Sequence, residues 1–127
     1  MPDRRPEPKP LKWIGSSKDD LIEFPDPVRK EMGHALYLAQ IGLKAPKAKP
    51  LHGFGSAGVL EIVDDCRGDT YRAVYTVKFR EMVFVLHAFQ KKSKKGIQTP
   101  KAETDLIRMR LKAASEIYDS LRRKANP

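Results

Sequence analysis

Three consecutive β-rich runs in the middle of the chain constrain its fold more than any other feature. The runs cover residues 59–64, 70–77 and 82–89, and only residues 65–69 and 78–81 connect them. Links this short join neighbouring antiparallel strands, whereas a parallel pair needs a crossover of about a dozen residues or more. The sequence therefore predicts an antiparallel meander.

Two helices are predicted before the meander. Ser17 is followed three residues later by an acid, which resembles a capping box and predicts a short helix that ends at Pro25. Asp26 and Pro27 then have the pattern of an N-cap with proline at the first helical position. A second helix is predicted from there to about Gly42, because apolar residues repeat on one side of it at helical spacing. These residues are Val28, Met32, Ala35, Leu36, Ala39 and Leu43.

A third helix is predicted after the meander, where Thr99 and Pro100 repeat the pattern of cap and proline. Its apolar stripe consists of Leu106, Met109, Ala113, Ile117 and Leu121. A short extended segment at residues 11–14 precedes the first helix. The expected fold is α+β, with a small antiparallel sheet, two N-terminal helices and a C-terminal helix, and with the helices packed on one face.

The length of 127 residues is that of a single domain. Residues 1–10 contain four prolines and little apolar surface, so we expect a flexible arm there and a folded domain at residues 11–124. The single cysteine, Cys66, gives neither a disulfide framework nor a metal cluster. The sequence has no apolar run of about 18 residues and no signal peptide. We therefore expect a cytoplasmic protein that has no membrane partner.

The net charge indicates the class of partner. Lys and Arg number 25 and Asp and Glu number 16, so the formal charge at pH 7 is +9, and the isoelectric point is about 9.8. A chain this basic is expected to bind a polyanion, and nucleic acid is the first one to consider.

Sequence motifs for cofactors and metals are weak. The G-x-G-x-x-G pattern at residues 53–58 follows a Pro- and Lys-rich loop and opens a strand, whereas a dinucleotide site follows a strand and opens a helix. The three histidines are scattered and the cysteine stands alone, which argues against metal hydrolysis and against a cysteine nucleophile. We expect no metal and no cofactor.

Alternation along the last strand of the meander groups a histidine, an aromatic ring and a lysine. With a period of two, His87, Phe89 and Lys91 share one face with Val83 and Val85. Aromatic surface can stack an unpaired base and cations can bind its phosphates, so this group suits RNA. The alternative for His87 is a half-buried histidine whose hydrogen bonds are satisfied within the protein.

Arg72 lies on the neighbouring strand among apolar residues, where an arginine is costly to bury without a partner. Its guanidinium can hold a phosphate by two hydrogen bonds. An arginine with that role is expected to have no internal ion pair in the free protein. The alternative is an intramolecular pair with Glu61 or with an acid on a helix.

Basic residues cluster in two further places. Five lysines follow the last strand without an intervening acid: Lys91, Lys92, Lys94, Lys95 and Lys101. The loop before the meander carries Lys44, Lys47, Lys49 and His52. Both groups are candidates for RNA binding, and the alternative for each is a solvated surface.

Two stretches resemble a known family. Residues 69–75 read DTYRAVY, and residues 85–95 read VLHAFQKKSKK and are followed by Thr99 and Pro100. Together they resemble the RelE/ParE superfamily of type II toxins, closest to its HigB-like, phage-derived branch, with similarity from about residue 11 to residue 121. The resemblance implies a RelE-like fold, which is a twisted antiparallel sheet with two N-terminal helices and a C-terminal helix.

The resemblance also implies a function. RelE- and HigB-like members cut messenger RNA in the ribosomal decoding site without a metal, and an antitoxin silences them, commonly a helix-turn-helix protein in this branch. This chain is thus expected to be a toxin, a ribosome-dependent mRNA endoribonuclease whose partners are the ribosome, mRNA and a cognate antitoxin. The alternative is the ParE branch, which shares the fold but inhibits DNA gyrase by binding it. A third possibility is a basic RNA-binding module without toxicity.

Matching positions assign the residues of the expected site. Arg72 would hold the scissile phosphate, and Lys91 would stabilise charge or relay a proton. His87 completes the expected catalytic set and, together with Phe89, would orient the nucleotide. The resemblance leaves open which residue is the general base and which the general acid. Contacts to RNA or the ribosome are expected from Lys47, Lys49, His52, Phe89, Lys92, Lys94 and Lys95.

Overall fold

A five-stranded sheet and three helices make up residues 7–55, 57–91 and 99–125, which are the residues described in the computed structural model. The elements in chain order are β1 (Leu11–Trp13), α1 (Ser17–Ile22), α2 (Asp26–Gln40), β2 (Ala48–Pro50), β3 (Val59–Cys66), β4 (Asp69–Thr76), β5 (Val83–Lys91) and α3 (Lys101–Ala125). The strands lie in the order β1-β5-β4-β3-β2. The predicted α+β class, with two N-terminal helices and a C-terminal helix, is confirmed.

The predicted meander is present as β3, β4 and β5, which pair antiparallel. The first hairpin is longer than predicted, because β3 and β4 pair as far as Cys66 opposite Asp69. Arg67 and Gly68 alone connect them, and their φ angles are 52° and 86°. Positive φ at both central positions is the geometry of a type I′ turn, which matches the twist of a hairpin.

The two edge strands complete the sheet. The predicted extended segment is β1, which pairs parallel with β5 and places Trp13 opposite Val85. No strand is predicted for residues 44–58, yet β2 lies there and pairs antiparallel with β3. Pro50 in β2 has no amide hydrogen to donate, which suits an edge strand and hides the strand from sequence patterns.

The two residues just before β1 are hydrogen-bonded to the rest of the domain. The Lys9 amide donates to the Gln40 carbonyl (2.9 Å), and the Gln40 side-chain amide donates to the Lys9 carbonyl (2.7 Å). The Val83 amide donates to the Pro10 carbonyl at 3.0 Å. The last two residues of the expected arm are therefore held by α2 and β5.

The first two helices begin differently from their predicted caps. Ser16 precedes α1, and Ser17 is its first residue, with a buried hydroxyl that donates to the Val85 carbonyl at 3.2 Å. Pro25 precedes α2, and Asp26 lies inside that helix. The serine that the pattern suggested as a cap thus connects α1 to β5.

The helices pack on both faces of the sheet, so the prediction that they share one face is wrong. α1 and α2 cover one face and form the α1/α2 core, in which Val28, Met32 and Leu36 of α2 are almost fully buried. Ile62 and Tyr75 of the sheet pack in the same core. The α2 stripe is the one that helical spacing predicts except at Leu43, which follows the helix and is 58% exposed.

α3 covers the opposite face with a stripe that differs from the predicted one. Ile107, Ala114 and Tyr118 are its buried residues, whereas Met109 and Ile117 of the predicted stripe are 62% and 40% exposed. These buried residues belong to the α3 core, whose sheet residues include Val74, Phe84 and Leu86. The helix carries apolar residues on more than one side, so its own periodicity does not determine which side the sheet buries.

Candidate functional site

A β-bulge in β5 decides which side chains form the site. Val74 of β4 is opposite His87, but the next residue, Tyr75, is opposite Val85, so Leu86 is an extra residue in β5. A bulge of this kind shifts the alternation of side chains by one position. Residues after the bulge therefore point to the opposite face from the one that a regular strand predicts.

The predicted grouping of His87, Phe89 and Lys91 with Val85 is accordingly wrong. Val85 is buried in the α1/α2 core, whereas Phe89 packs against the α3 core. Phe89 is also opposite Arg72 in the pairing of β4 with β5. The bulge thus brings the three predicted β5 residues onto the same face as Arg72, beneath the start of α3.

Arg72 takes part in a compact polar cluster, the Arg72 cluster, with Glu61 of β3 and Thr99. Its guanidinium donates to a Glu61 carboxylate oxygen at 3.0 Å and to the Thr99 hydroxyl at 3.1 Å. The Thr99 hydroxyl donates to the same Glu61 oxygen at 2.8 Å. The side chains of Arg72 and Glu61 are only 12% and 14% exposed. The expectation of an arginine without an internal ion pair is therefore wrong, and the alternative pair with Glu61 is present.

His87 forms a second polar cluster, the His87 cluster, with Glu103 and Arg110 of α3. Nε2 of His87 contacts a Glu103 carboxylate oxygen, and Nδ1 lies 3.3 Å from the Arg110 guanidinium. A guanidinium can only donate, so Nδ1 accepts and the ring proton on Nε2 is donated to Glu103. The ring is stacked on Phe89 with centroids 4.7 Å apart. The buried histidine that was the alternative reading of the sequence, with its hydrogen bonds satisfied inside the protein, is thus observed.

Arg110 of α3 hydrogen-bonds to the bulge in β5. Its guanidinium donates to the Leu86 carbonyl at 2.9 Å and to the Ser16 hydroxyl at 3.3 Å. Gly15 lies against the same guanidinium with φ +58°, and a Cβ there would be 2.9 Å from it. The left-handed backbone favours glycine at this position, and a Cβ would displace the guanidinium from its present contacts. One α3 side chain therefore ties the bulge to the loop before α1.

Lys91 ends β5 beside the Arg72 cluster. Loss of hydration lowers the pKa of Lys91, the positive charge of Arg72 lowers it further, and the Glu61 carboxylate opposes both effects. A lysine with a lowered pKa exchanges its proton closer to neutral pH than an ordinary lysine does. Lys92, Lys94 and Lys95 lie outside the described residues.

The basic residues predicted before the meander have different surroundings. Lys47 donates to the Asp64 carboxylate at 2.9 Å, and this hydrogen bond raises its pKa. Lys49 is opposite Glu61 in the pairing of β2 with β3, which places it on the strand next to the Arg72 cluster. His52 is exposed in the following loop. Of this group, Lys49 lies nearest in register to the candidate site.

Several residues of the two clusters escape sequence patterns. Glu61 enters the sequence analysis only as an alternative partner of Arg72, and Thr99 only as a helix cap. Glu103 and Arg110 enter it not at all, because each reaches the site across a long sequence separation and neither belongs to a local motif. The one available signal is that a buried arginine and a buried histidine both demand polar partners.

A cavity of about 500 Å³ borders the His87 cluster. Its lining includes three carboxylates and three aromatic rings, those of Asp20, Glu23, Glu103, Phe24, Tyr71 and Phe89. Within the described part of the chain, no lysine or arginine lines it. A lining of this kind repels a polyanion. The candidate phosphate-binding side chains are therefore Arg72 and Lys91, which do not line this cavity.

The described residues also bear on metal sites and membrane spans. Among residues 7–55, 57–91 and 99–125, no three His, Cys, Asp or Glu side chains are grouped so that they could hold a metal ion. The helices in these ranges include none with the length and apolar character that a membrane span requires.

Known proteins provide a comparison for this fold and site. A free-state double-arginine mutant of the E. coli toxin RelE is 20% identical, with a TM-score of 0.47 over 65% of this chain and 82% of the toxin chain. The toxin–antitoxin complex RelBE2 from Mycobacterium tuberculosis is similar at 20% identity, with a TM-score of 0.43 over 68% of this chain and 94% of that one. No curated protein matches the sequence significantly.

A family model does match, and it covers most of the domain. It describes the phage-derived Gp49-like proteins (DUF891) and matches residues 19–112, which include β2 to β5 and the first half of α3. The resemblance of the sequence to the phage-derived, HigB-like branch is thereby confirmed. The chain belongs to the Gp49-like family, a family of the RelE/HigB toxin type.

Proposed function

We propose that this protein is the toxin of a type II toxin–antitoxin system and that it cuts messenger RNA on the ribosome. The observation that carries the proposal is the position of Arg72 and Lys91, two cations on one face of the sheet near the last residues of β5, in a member of a RelE/HigB-type family. The proposed place of action is the bacterial cytoplasm.

The chemistry that this site would perform needs no large set of catalytic groups. The RNA 2′-hydroxyl loses a proton and attacks the adjacent phosphorus, negative charge increases on the phosphoryl oxygens, and the 5′ oxygen takes up a proton as it leaves. Arg72 would bind the phosphate by exchanging its contact with Glu61 for one with a phosphoryl oxygen. Lys91, whose pKa is lowered, would stabilise the charge or supply the proton.

In this proposal His87 would hold Phe89 in place and would not transfer a proton. Both of its ring nitrogens are engaged within the protein, so it cannot exchange protons with RNA without breaking the His87 cluster. Its stacking holds the ring of Phe89, which lies opposite Arg72, and this ring would contact a nucleotide beside the scissile phosphate.

The ribosome would supply the alignment of the message that fast cleavage needs. Fast cleavage requires the 2′-hydroxyl, the phosphorus and the leaving oxygen to be in line, and a flexible message is seldom so arranged. Arg72 and Lys91 can bind the charge of a phosphate, but two cations do not by themselves bring these three atoms into line. We therefore propose that the message is held by the ribosome and that the toxin adds its cations and a proton carrier.

The proposed antitoxin is an acidic protein, or one with an acidic segment, and in this branch a helix-turn-helix protein. Charge complementarity would speed its association with a chain of net charge +9. It would act by covering the face that contains Arg72, His87 and Lys91 or by keeping the toxin away from the ribosome.

Induction of the protein in bacteria tests the proposal. We expect arrest of translation, and primer extension on a reporter message should map cuts within codons. A matched reporter whose start codon is removed should remain intact, because it does not enter the ribosome. Equal cutting of both reporters would contradict the dependence on the ribosome. Arrest with intact messages and inhibition of gyrase supercoiling would favour the ParE-like alternative.

A further inference from the structure

A shallow groove of about 340 Å³ lies between α3 and the loop that precedes β3. We name it the basic groove, and its polar and aromatic lining includes Lys78, Arg108, Lys112 and Phe54. Lys78 lies two residues beyond Thr76, the last residue of β4, whereas Arg72 lies in the middle of that strand. The four residue steps from Arg72 to Thr76 cover about 13 Å of the strand.

The basic groove carries positive charge that no carboxylate of the described residues neutralises. Three cations line it, and within the described ranges no carboxylate lines it. In those same ranges, no Asp or Glu is paired with Lys78, Arg108 or Lys112, whereas Lys47 and Lys101 both have carboxylate partners. Unneutralised cations around a concave surface attract and concentrate polyanions.

The geometry of the groove favours phosphates over bases. The Arg108 guanidinium lies over the Phe54 ring, 4.4 Å from its centroid, and donates to the Gly53 carbonyl at 3.1 Å. Phe54 is itself a buried residue of the α3 core and is only 8% exposed. No aromatic face is therefore open for an unpaired base to stack on, and stacking is the usual way in which single strands are held.

The glycine pattern in this loop is explained by the same packing. Gly53 has φ +93°, and a Cβ there would be 3.2 Å from the Arg108 guanidinium. Gly58 has φ +67°, and a Cβ there would be 3.1 Å from the Lys78 backbone nitrogen. The glycines let the loop approach Arg108 and Lys78, and so they bring the cations of the groove together.

We infer that the basic groove binds the phosphate backbone of folded ribosomal RNA and docks the protein on the ribosome, separately from the site that takes the message. The inference rests on the proposed function. Folded RNA presents its phosphates on a firm surface, and a surface with cations but without an open aromatic ring matches phosphates and not bases.

Binding of purified protein to bacterial ribosomes, measured at several salt concentrations, tests this inference. In the variant Lys78→Gln/Lys112→Gln, two phosphate contacts should be lost, and the slope of log affinity against log salt should fall by about two. Between 50 and 200 mM salt, the affinity of the wild type should then fall about tenfold more than that of the variant. Neither lysine has a carboxylate partner among the described residues, so the variant should fold normally.

Two further measurements complete the test. The control variant Lys18→Gln/Lys30→Gln makes the same charge change on exposed residues of α1 and α2, and it should alter ribosome affinity less than twofold. Binding of a single-stranded RNA oligonucleotide should be the same in the groove variant and in the wild type.

The possible failures are distinct. If the wild type binds ribosomes and the groove variant binds them equally well with the same salt slope, the groove inference is wrong while the proposed function stands. If both variants weaken binding alike, the attraction is diffuse and the groove has no special role. A groove variant that loses oligonucleotide and ribosome binding equally would assign the groove to the message. A wild type that does not bind ribosomes would overturn the proposed function itself.

Discussion

The Arg72 cluster and the His87 cluster are built alike but have opposite surroundings. Each joins a strand side chain to a carboxylate and to a residue just before or within α3. The Arg72 cluster lies beside Lys91, whereas the His87 cluster borders a cavity lined by three carboxylates. Phosphate is attracted to the first and repelled by the second. This difference underlies the proposal that Arg72 exchanges its carboxylate partner for substrate, whereas the partners of His87 fix its position.

The largest effect should come from replacing Arg72. In Arg72→Gln, cleavage of translated messages should fall by about 100-fold or more, because a cation aimed at the transition-state charge is lost. Stability should fall as well, by about 1–3 kcal/mol, since the carboxylate of Glu61 loses its charged partner in a site where it is only 14% exposed. Primer extension and urea unfolding measure the two losses separately.

The double variant Arg72→Gln/Glu61→Gln provides the matched control for this loss. Two amides can hydrogen-bond to each other without an unpaired charge, so most of the lost stability should return. Cleavage should not return with it. A double variant that is as stable and as active as the wild type would mean that Arg72 serves the fold alone.

A smaller effect on cleavage is expected at His87. His87→Gln should lower the free energy of unfolding by about 1–3 kcal/mol, because Glu103 and Arg110 lose a buried partner. Cleavage at a temperature where the variant remains folded should fall by less than about tenfold, measured with the same reporter assay. The opposite pattern, unchanged stability with cleavage reduced by about 100-fold, would identify His87 as a proton carrier and remove the contrast between the clusters.

Lys91 should affect the pH dependence more than the maximum rate. The charged form is needed for either of its proposed roles, so cleavage should decline as pH rises through its pKa. Because that pKa is lowered, the decline should begin below the usual range for lysine. In Lys91→Arg the side chain stays charged, and the alkaline decline should disappear. The same decline in both proteins would exclude Lys91 as its cause.

The smallest effect should come from Tyr75, which lies in the α1/α2 core and in neither cluster. Among the described residues its buried hydroxyl has no hydrogen-bond partner. Tyr75→Phe should therefore increase stability by about 1 kcal/mol and leave cleavage unchanged.

The pH dependence of stability provides a second readout for the same variant. Burial raises the pKa of Tyr75 to about 12. The unfolded chain loses this proton near pH 10 and the folded chain does not, so wild-type stability should fall as pH rises from about 10 towards 12. The advantage of Tyr75→Phe in thermal unfolding should grow over that interval. A variant that is less stable than the wild type at pH 7 would indicate a partner for the hydroxyl.

Sequence patterns predict the elements of this fold well because their signals are local. The meander follows from its short links, and α2 follows from apolar residues at helical spacing after a proline. The edge strand β2 carries neither signal, since Ala48, Lys49 and Pro50 do not alternate between apolar and polar. In α3, packing against the sheet selects Ile107 and Tyr118 over Met109 and Ile117, and that selection depends on contacts distant in sequence.

The sequence proposes candidate site residues but does not predict the geometry in which the structure places them. Arg72, His87 and Lys91 are identified from residue type and strand position, and the extra residue Leu86 then reverses the face on which two of them lie. Nothing in the local sequence marks the bulge, because it is supported by Arg110 from α3. A prediction based on regular alternation therefore groups His87 and Lys91 with the wrong core, while their roles stay predictions.

Cleavage of a ribosome-bound message by purified protein tests the central claim most directly, because it isolates the chemistry of the Arg72 site from cellular effects. The wild type should cut within the codon in the decoding site and leave a 2′,3′-cyclic phosphate, or the 3′-phosphate that it opens to, with a 5′-hydroxyl on the downstream fragment. The double variant Arg72→Gln/Glu61→Gln, folded but without the cation, should leave the message intact under the same conditions. Equal cutting by the double variant, or a 5′-phosphate on the downstream fragment, would contradict the account.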